Sequence, residues 1–148
     1  MPMLFHGTLA RRLSPVTLPL LAALVLANCG DDPVQPVAAR GAYTATTFTG
    51  TSNGATVDVL AAGGSLTIVL TPQGTTTGRL FIPGAVTGEG DFDLDLTGTY
   101  TQNDGIVEFS HTADTFVRDM PFTVRGATLV GDRTFADIRI RVTLTRVP

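Results

Sequence analysis

The sequence has 148 residues, of which 43% are hydrophobic and 16% charged, with a formal net charge of −3. This length fits one domain, or one domain with a tail, and the composition excludes a disordered chain, a collagen-like chain and a disulfide scaffold. All 10 basic residues are Arg, and because the chain is net acidic it has no electrostatic basis for binding nucleic acid.

Residues 1–28 have the layout of an export signal. Arg11 and Arg12 precede an apolar run over residues 18–27, and no acidic residue occurs before Asp31. The run is shorter than the roughly 20 residues that cross a bilayer as a helix. We therefore expect a signal peptide here, with an uncleaved membrane anchor as the alternative.

The single cysteine, Cys29, directly follows this segment. One cysteine cannot form an internal disulfide. Residues 26–30, Leu-Ala-Asn-Cys-Gly, resemble the lipobox of bacterial lipoproteins. The resemblance implies cleavage before Cys29, acylation of its thiol by a chain such as palmitate, and a lipid-anchored protein that faces the periplasm. Gly30 stands where Asp favours the inner membrane, so the resemblance favours the outer membrane.

Residues 29–40 are predicted to be the lipidated cysteine and a flexible tether. The segment from Asp31 to Arg40 has two prolines, two acidic residues and no apolar period. Extended, it would reach roughly 30 Å. Without residues 1–28, eight Arg face thirteen acidic residues, a formal net charge of −5, so the lipid rather than the protein surface is expected to hold the chain on anionic membranes.

From residue 41 to the end, apolar and polar residues alternate with a period of two, as in Ile138, Ile140, Val142 and Leu144. This pattern predicts strands with one buried face. Eight strands are predicted, over residues 41–50, 65–71, 76–82, 91–102, 106–111, 121–125, 127–130 and 135–147. One short helical turn is expected between residues 112 and 120.

Turn signals separate the strands, at residues 71–74 and, more strongly, at Asn103-Asp104-Gly105, with weaker ones at residues 125–126 and 131–132. Short links between antiparallel strands favour an all-β fold, a single up-and-down barrel of about eight strands over residues 41–148. A β-sandwich uses the same alternation and stays open as an alternative. A membrane-spanning barrel fits less well, because its strands have about 9–11 residues and need aromatic girdles.

The opening of the first predicted strand, Gly41-Ala42-Tyr43-Thr44, is similar to the Gly-x-Trp start of lipocalin-like (calycin) barrels, with Tyr in place of Trp. The similarity extends over residues 41–147. It implies a barrel with a cavity for a small apolar ligand. In that family an Arg of the last strand covers the Trp, so the resemblance implies that Arg146 or Arg141 covers Tyr43.

The inward apolar positions are the candidate cavity lining. Equally, these side chains could simply fill the barrel, since eight strands enclose little more than their own side chains. The candidate lining residues are Tyr43, Leu66, Ile68, Leu94, Leu96, Phe109, Ile138 and Ile140.

Acidic residues alternate over residues 89–95. Calcium needs six to eight oxygen ligands, but side chains two apart on a strand lie about 6.6 Å apart and do not converge on one ion. We expect a solvated strand face and no metal site. The acidic residues are Glu89, Asp91, Asp93 and Asp95, with Arg79, Arg139 and Arg141 as candidate partners across the sheet.

His111 is the one histidine outside the predicted signal peptide. A zinc site usually needs several His or Cys ligands, and the neighbouring Ser110 points to the opposite face of its strand. The sequence also lacks a nucleophile elbow and a phosphate-binding loop. We therefore expect neither catalysis nor a cofactor.

These patterns predict an envelope lipoprotein whose barrel binds or shields a small apolar ligand. The alternative is a non-enzymatic interaction or structural module, with a filled barrel that contacts another envelope protein. A cavity of a few hundred Å³ would distinguish the two.

Overall fold

A computed structural model describes residues 38–148. The predicted signal peptide, Cys29 and most of the predicted tether lie outside the described residues. The described chain forms ten strands and two short helices: β1 (Gly41–Ser52), β2 (Ala55–Asp58), β3 (Ser65–Leu70), β4 (Thr75–Ile82), α1 (Gly84–Thr87), β5 (Phe92–Asp95), β6 (Gly98–Asn103), β7 (Ile106–His111), α2 (Phe116–Asp119), β8 (Phe122–Arg125), β9 (Thr128–Phe135) and β10 (Ile138–Arg146).

Eight of the strands form a closed antiparallel barrel. β1, β3, β4 and β6–β10 pair with their neighbours in chain order, and β10 pairs back onto β1. The two extra strands extend this barrel, β2 beside β1 and β5 beside β4. The prediction of an all-β up-and-down barrel of about eight strands is confirmed, and the sandwich alternative is excluded because the sheet has closed on itself.

Two predicted strand boundaries were wrong. The strand expected over residues 91–102 is broken, because β5 pairs with the end of β4 while β6 pairs with its beginning. The turn expected at residues 131–132 lies inside β9, and the chain reverses instead at Ala136 and Asp137, where Ala136 adopts φ 50°. Pairing with β8 and β10 on both sides keeps Gly131 extended despite its turn propensity.

The strongest local signals were correct. Asp104 and Gly105 have φ of 49° and 77°, the left-handed pair that a two-residue hairpin between β6 and β7 requires. The short helical turn expected between residues 112 and 120 is α2. It begins after Thr115, whose backbone is extended.

The barrel interior is packed with apolar side chains from every strand of the closed sheet. Leu66, Ile68, Leu80, Leu129 and Leu144 have essentially no exposed surface. Burying a side chain of this size contributes about 1.5–3 kcal/mol to folding. This packed region extends from one end of the barrel, where residue 41 begins β1, to the level of Phe48.

A polar contact closes that end. Tyr43 lies opposite Arg146 in the β1–β10 register, and the Arg146 Nη2 donates to the Tyr43 Oη at 2.9 Å and to the Ala38 carbonyl at 2.9 Å. The guanidinium carbon lies 5.4 Å from the centre of the Tyr43 ring. Of the two arginines expected to cover Tyr43, Arg146 does so, while Arg141 bonds Asp132 on the outer face.

We predict that Arg146→Leu lowers the free energy of unfolding by about 1–3 kcal/mol, because it leaves the buried Tyr43 hydroxyl without a partner. Urea unfolding followed by circular dichroism measures the change. Arg141→Leu is the matched control on the same strand, and its exposed ion pair contributes little. Equal losses in the two variants would contradict a special role for the Tyr43 contact.

Candidate functional site

A cavity of about 320 Å³ lies at the end of the barrel opposite the Tyr43–Arg146 contact. Its wall comes from the last half of β1, the first half of β10, the end of β4, and from β2, α1 and α2. The residues that line it are Phe48, Gly50, Ser52, Ala55, Val57, Val59, Ile82, Val86, Thr87, Phe116, Ile138 and Ile140.

The lining is almost entirely apolar. Nine of its twelve residues have apolar side chains, and Ser52 and Thr87 are the two with polar ones. The Thr87 hydroxyl is held within its own loop, since it donates to the Gly90 carbonyl at 3.1 Å and accepts from the Glu89 amide at 3.1 Å. The Ser52 hydroxyl has no hydrogen-bond partner within residues 38–148, so it is free to bond an occupant.

The sequence of β1 makes room for the cavity. The register of β1 against β10 shifts between Ala45 and Thr47, so that Phe48, Gly50 and Ser52 face inward beyond the shift. Phe48 belongs to both the buried core and the cavity wall, and its ring lies 5.4 Å from that of Phe116. Gly50 then leaves space, because a Cβ there would meet nothing nearer than Ile138 Cγ2 at 3.9 Å.

Two of the eight residues expected to line a cavity, Ile138 and Ile140, do line this one. The other six are not among its wall residues. Five of them are buried in the packed core, and the sixth lies half-buried on β5; these are Tyr43, Leu66, Ile68, Leu96 and Phe109, then Leu94.

Sequence reasoning missed most of the wall, for two identifiable reasons. The register shift in β1 moves Phe48 onto the inner face, which strict alternation from Tyr43 does not predict. Val57 lies on β2, a strand that was not predicted although Asn53-Gly54 is a strong hairpin signal, with φ of 50° and 79°.

The acidic residues behave as surface groups. Asp93 accepts from the Arg79 Nε at 2.8 Å, and this hydrogen bond holds the pKa of Asp93 below its usual value. Asp91 instead caps α1 by accepting from the Gly84 amide at 2.7 Å. Within residues 38–148 no three His, Cys, Asp or Glu side chains are grouped to hold a metal ion.

Arg139 and Arg141, the other candidate partners of those acidic residues, do not reach them. Both bond Asp132 of β9 instead, Arg139 through Nε at 2.7 Å and Arg141 through Nε at 3.1 Å. The hydrogen bonds from Arg139 and Arg141 hold the pKa of Asp132 below its usual value. The two arginines also border a surface cleft of about 300 Å³ along the outer face of β1, with Thr47, Thr49, Thr51 and Thr56.

His111 lies inside the barrel, with 5% of its surface exposed. Its ring stacks on Phe109, with 5.1 Å between ring centres, and neither ring nitrogen has a hydrogen-bond partner within residues 38–148. Burial lowers the pKa of His111, so its neutral form is favoured. Without a bonded carboxylate, this imidazole has no partner that would orient it as a general base.

We predict that the barrel loses stability below about pH 6.5, the ordinary pKa of histidine. The unfolded chain takes up a proton there that the folded His111 resists, so stability is full above that pH and falls below it. Urea unfolding between about pH 8 and pH 5 should show this slope. His111→Leu should remove it, and a slope that survives His111→Leu would assign the effect to other groups.

No protein-family model matches this chain, and no curated protein matches it. Within residues 38–148 no helix is long and apolar enough to span a bilayer. The closed barrel, its packed core and its cavity are therefore the features from which a function must follow.

Proposed function

We propose that this protein is a membrane-anchored lipoprotein of the cell envelope whose lipocalin-like barrel binds a small apolar ligand without covalent bonds. The cavity of about 320 Å³ carries the proposal. Its volume is within the range of small-molecule sites, and such sites combine an apolar wall with few polar groups. Transfer of an apolar ligand from water into it is favoured by about 25 cal/mol per Å² of buried surface.

The cavity is reachable from outside. Val57 and Ile138, two of its wall residues, are each 44% exposed. Large apolar side chains that are exposed at the entrance of an apolar cavity are costly in water and are covered when a ligand binds. This arrangement supports exchange of the ligand through the open end.

The start of the described chain supports an anchor at the opposite end. Arg146 holds the Ala38 carbonyl, and the Ala39 amide donates to the Gln102 Oε1 at 2.7 Å. Both contacts lie at the closed end of the barrel. A lipid on Cys29, nine residues before Ala38, would be joined to this end of the barrel by a segment that extends over at most roughly 27 Å.

The packed core favours one alternative, an interaction module that contacts another envelope protein. Most of the barrel is filled by its own side chains, which leaves the cavity to one end. A module of this kind needs no ligand. Blocking the cavity distinguishes the two functions, because only ligand binding depends on its volume.

We predict that Gly50→Phe abolishes ligand binding and leaves the barrel folded. The added ring would occupy about half of the cavity, judged from the benzene held by an apolar cavity of about 150 Å³. Native mass spectrometry of the protein extracted from its own cells should show a bound small molecule in the wild type that is missing from this variant. Gly90→Phe is the control, because a Cβ at Gly90 meets nothing within 4 Å and Gly90 is outside the wall. Consistently empty wild-type protein would favour the interaction module.

We predict that Cys29→Ser moves the protein from the membrane fraction to the soluble fraction, because the acyl chains provide the anchor. Fractionation of the source cells, with mass spectrometry of the N-terminal peptide, measures this. The wild-type peptide should begin at Cys29 and carry acyl chains. An unmodified Cys29 in native material would refute the anchor and leave the ligand proposal standing.

A further inference from the structure

We infer that the cavity selects a neutral molecule of about twelve carbon atoms with one hydroxyl or carbonyl group, and rejects amphiphiles with an anionic head group. This inference rests on the proposed function and specifies its ligand class. It follows from three features of the open end: the volume of the cavity, the polar groups in its wall, and the charges of the loops around it.

The volume of the cavity limits the size of the ligand. An apolar cavity of about 150 Å³ holds benzene, which is roughly 25 Å³ for each carbon atom. By the same measure, a cavity of about 320 Å³ takes roughly twelve to thirteen carbon atoms. A saturated chain or ring system of this size fits, whereas a membrane phospholipid does not.

The side chains of the cavity wall determine which polar groups a ligand can carry. The wall contains no Asp, Glu, Arg or His, so a charged group taken into the cavity would lose its water without gaining a counter-charge, which is unfavourable. The Ser52 hydroxyl can give and accept one hydrogen bond, which suits a single hydroxyl or carbonyl group. A carboxylate would need two or three donors.

The charges of the loops at the open end determine whether an anionic or a cationic head group is repelled. The segments that join the strands at the open end are residues 53–64, 83–91, 112–121 and 136–137. They contain six acidic residues and one arginine, a formal net charge of −5, in Asp58, Glu89, Asp91, Asp114, Asp119, Asp137 and Arg118. Arg118 is already bonded to Asp114 and Asp119, so it offers no free guanidinium to an incoming anion. The Arg133 guanidinium, near the end of β9, donates to the Asp119 carbonyl, and counting it with the loops still leaves a formal net charge of −4. Repulsion therefore acts on an anionic head group as it approaches.

A cationic head group is the remaining alternative. The acidic loops would attract it, but no carboxylate belongs to the cavity wall. It could remain only at the entrance, where water and salt screen the attraction. The neutral ligand has no charge to desolvate, and the Ser52 hydroxyl replaces a hydrogen bond that its polar group made with water, so it should bind most tightly.

The test compares 1-decanol, decanoate and decylammonium, three probes with the same chain, by isothermal titration calorimetry of the delipidated full chain in about 0.15 M salt. We expect 1-decanol to bind at least about tenfold more tightly than decanoate and more tightly than decylammonium. If decanoate or decylammonium bound as tightly as 1-decanol, the inference would be overturned while the proposed function stayed intact. Failure of all three would overturn both.

Two pairs of variants locate the selectivity. Ile138→Arg places a cation at the entrance and should strengthen decanoate binding by about tenfold, whereas Val69→Arg, at an equally exposed residue (43%) outside the wall, should not. Ser52→Ala should weaken 1-decanol binding by about fivefold through its lost hydrogen bond. Thr49→Ala, on the outer face of the same strand, should leave it unchanged. If the two variants of a pair changed binding equally, the role assigned to Ile138 or to Ser52 would be refuted.

Discussion

The pairing of β1 with β10 is the interaction on which the rest of this structure depends. It joins nine residue pairs, from Tyr43 with Arg146 to Ser52 with Ile138. The two strands are the first and the last of the domain, so they are separated by nearly its whole sequence. Closing so long a loop costs chain entropy, and the ladder of backbone hydrogen bonds offsets that cost while removing both free edges of the sheet. Without this closure the alternating sequence would give a sheet with one apolar face open to water rather than an interior.

Closure also determines where each residue of β1 lies along the barrel axis. The strand places Tyr43 at the closed end, Phe48 at the boundary between core and cavity, and Gly50 and Ser52 in the cavity wall. The register shift near Thr46 is the local adjustment that permits this, since it turns the second half of the strand so that these residues face inward. One strand of twelve residues therefore organises the packed end and the hollow end together.

The two ends are chemically opposed. At the closed end, hydrogen bonds join a buried tyrosine, an arginine and the Ala38 backbone, and so hold the start of the described chain against the barrel. At the open end, an apolar wall is surrounded by acidic loops, and the Ser52 hydroxyl is its free polar group. The packed core lies between the two ends and resists deformation, so that a change at one end is poorly transmitted to the other.

The sequence by itself determined the fold class, the hairpin at Asp104-Gly105 and the short helix α2, because period-two alternation and turn chemistry are local properties of the chain. It also singled out Ile138 and Ile140, whose strand alternates without interruption. Only the tertiary structure decided where the interior is filled and where it is hollow. That outcome depends on the register shift in β1, on the division of residues 92–103 into β5 and β6 along β4, and on which side chains meet across the closed sheet. Each of these depends on contacts between strands that are distant in the sequence, so no single stretch of residues encodes it.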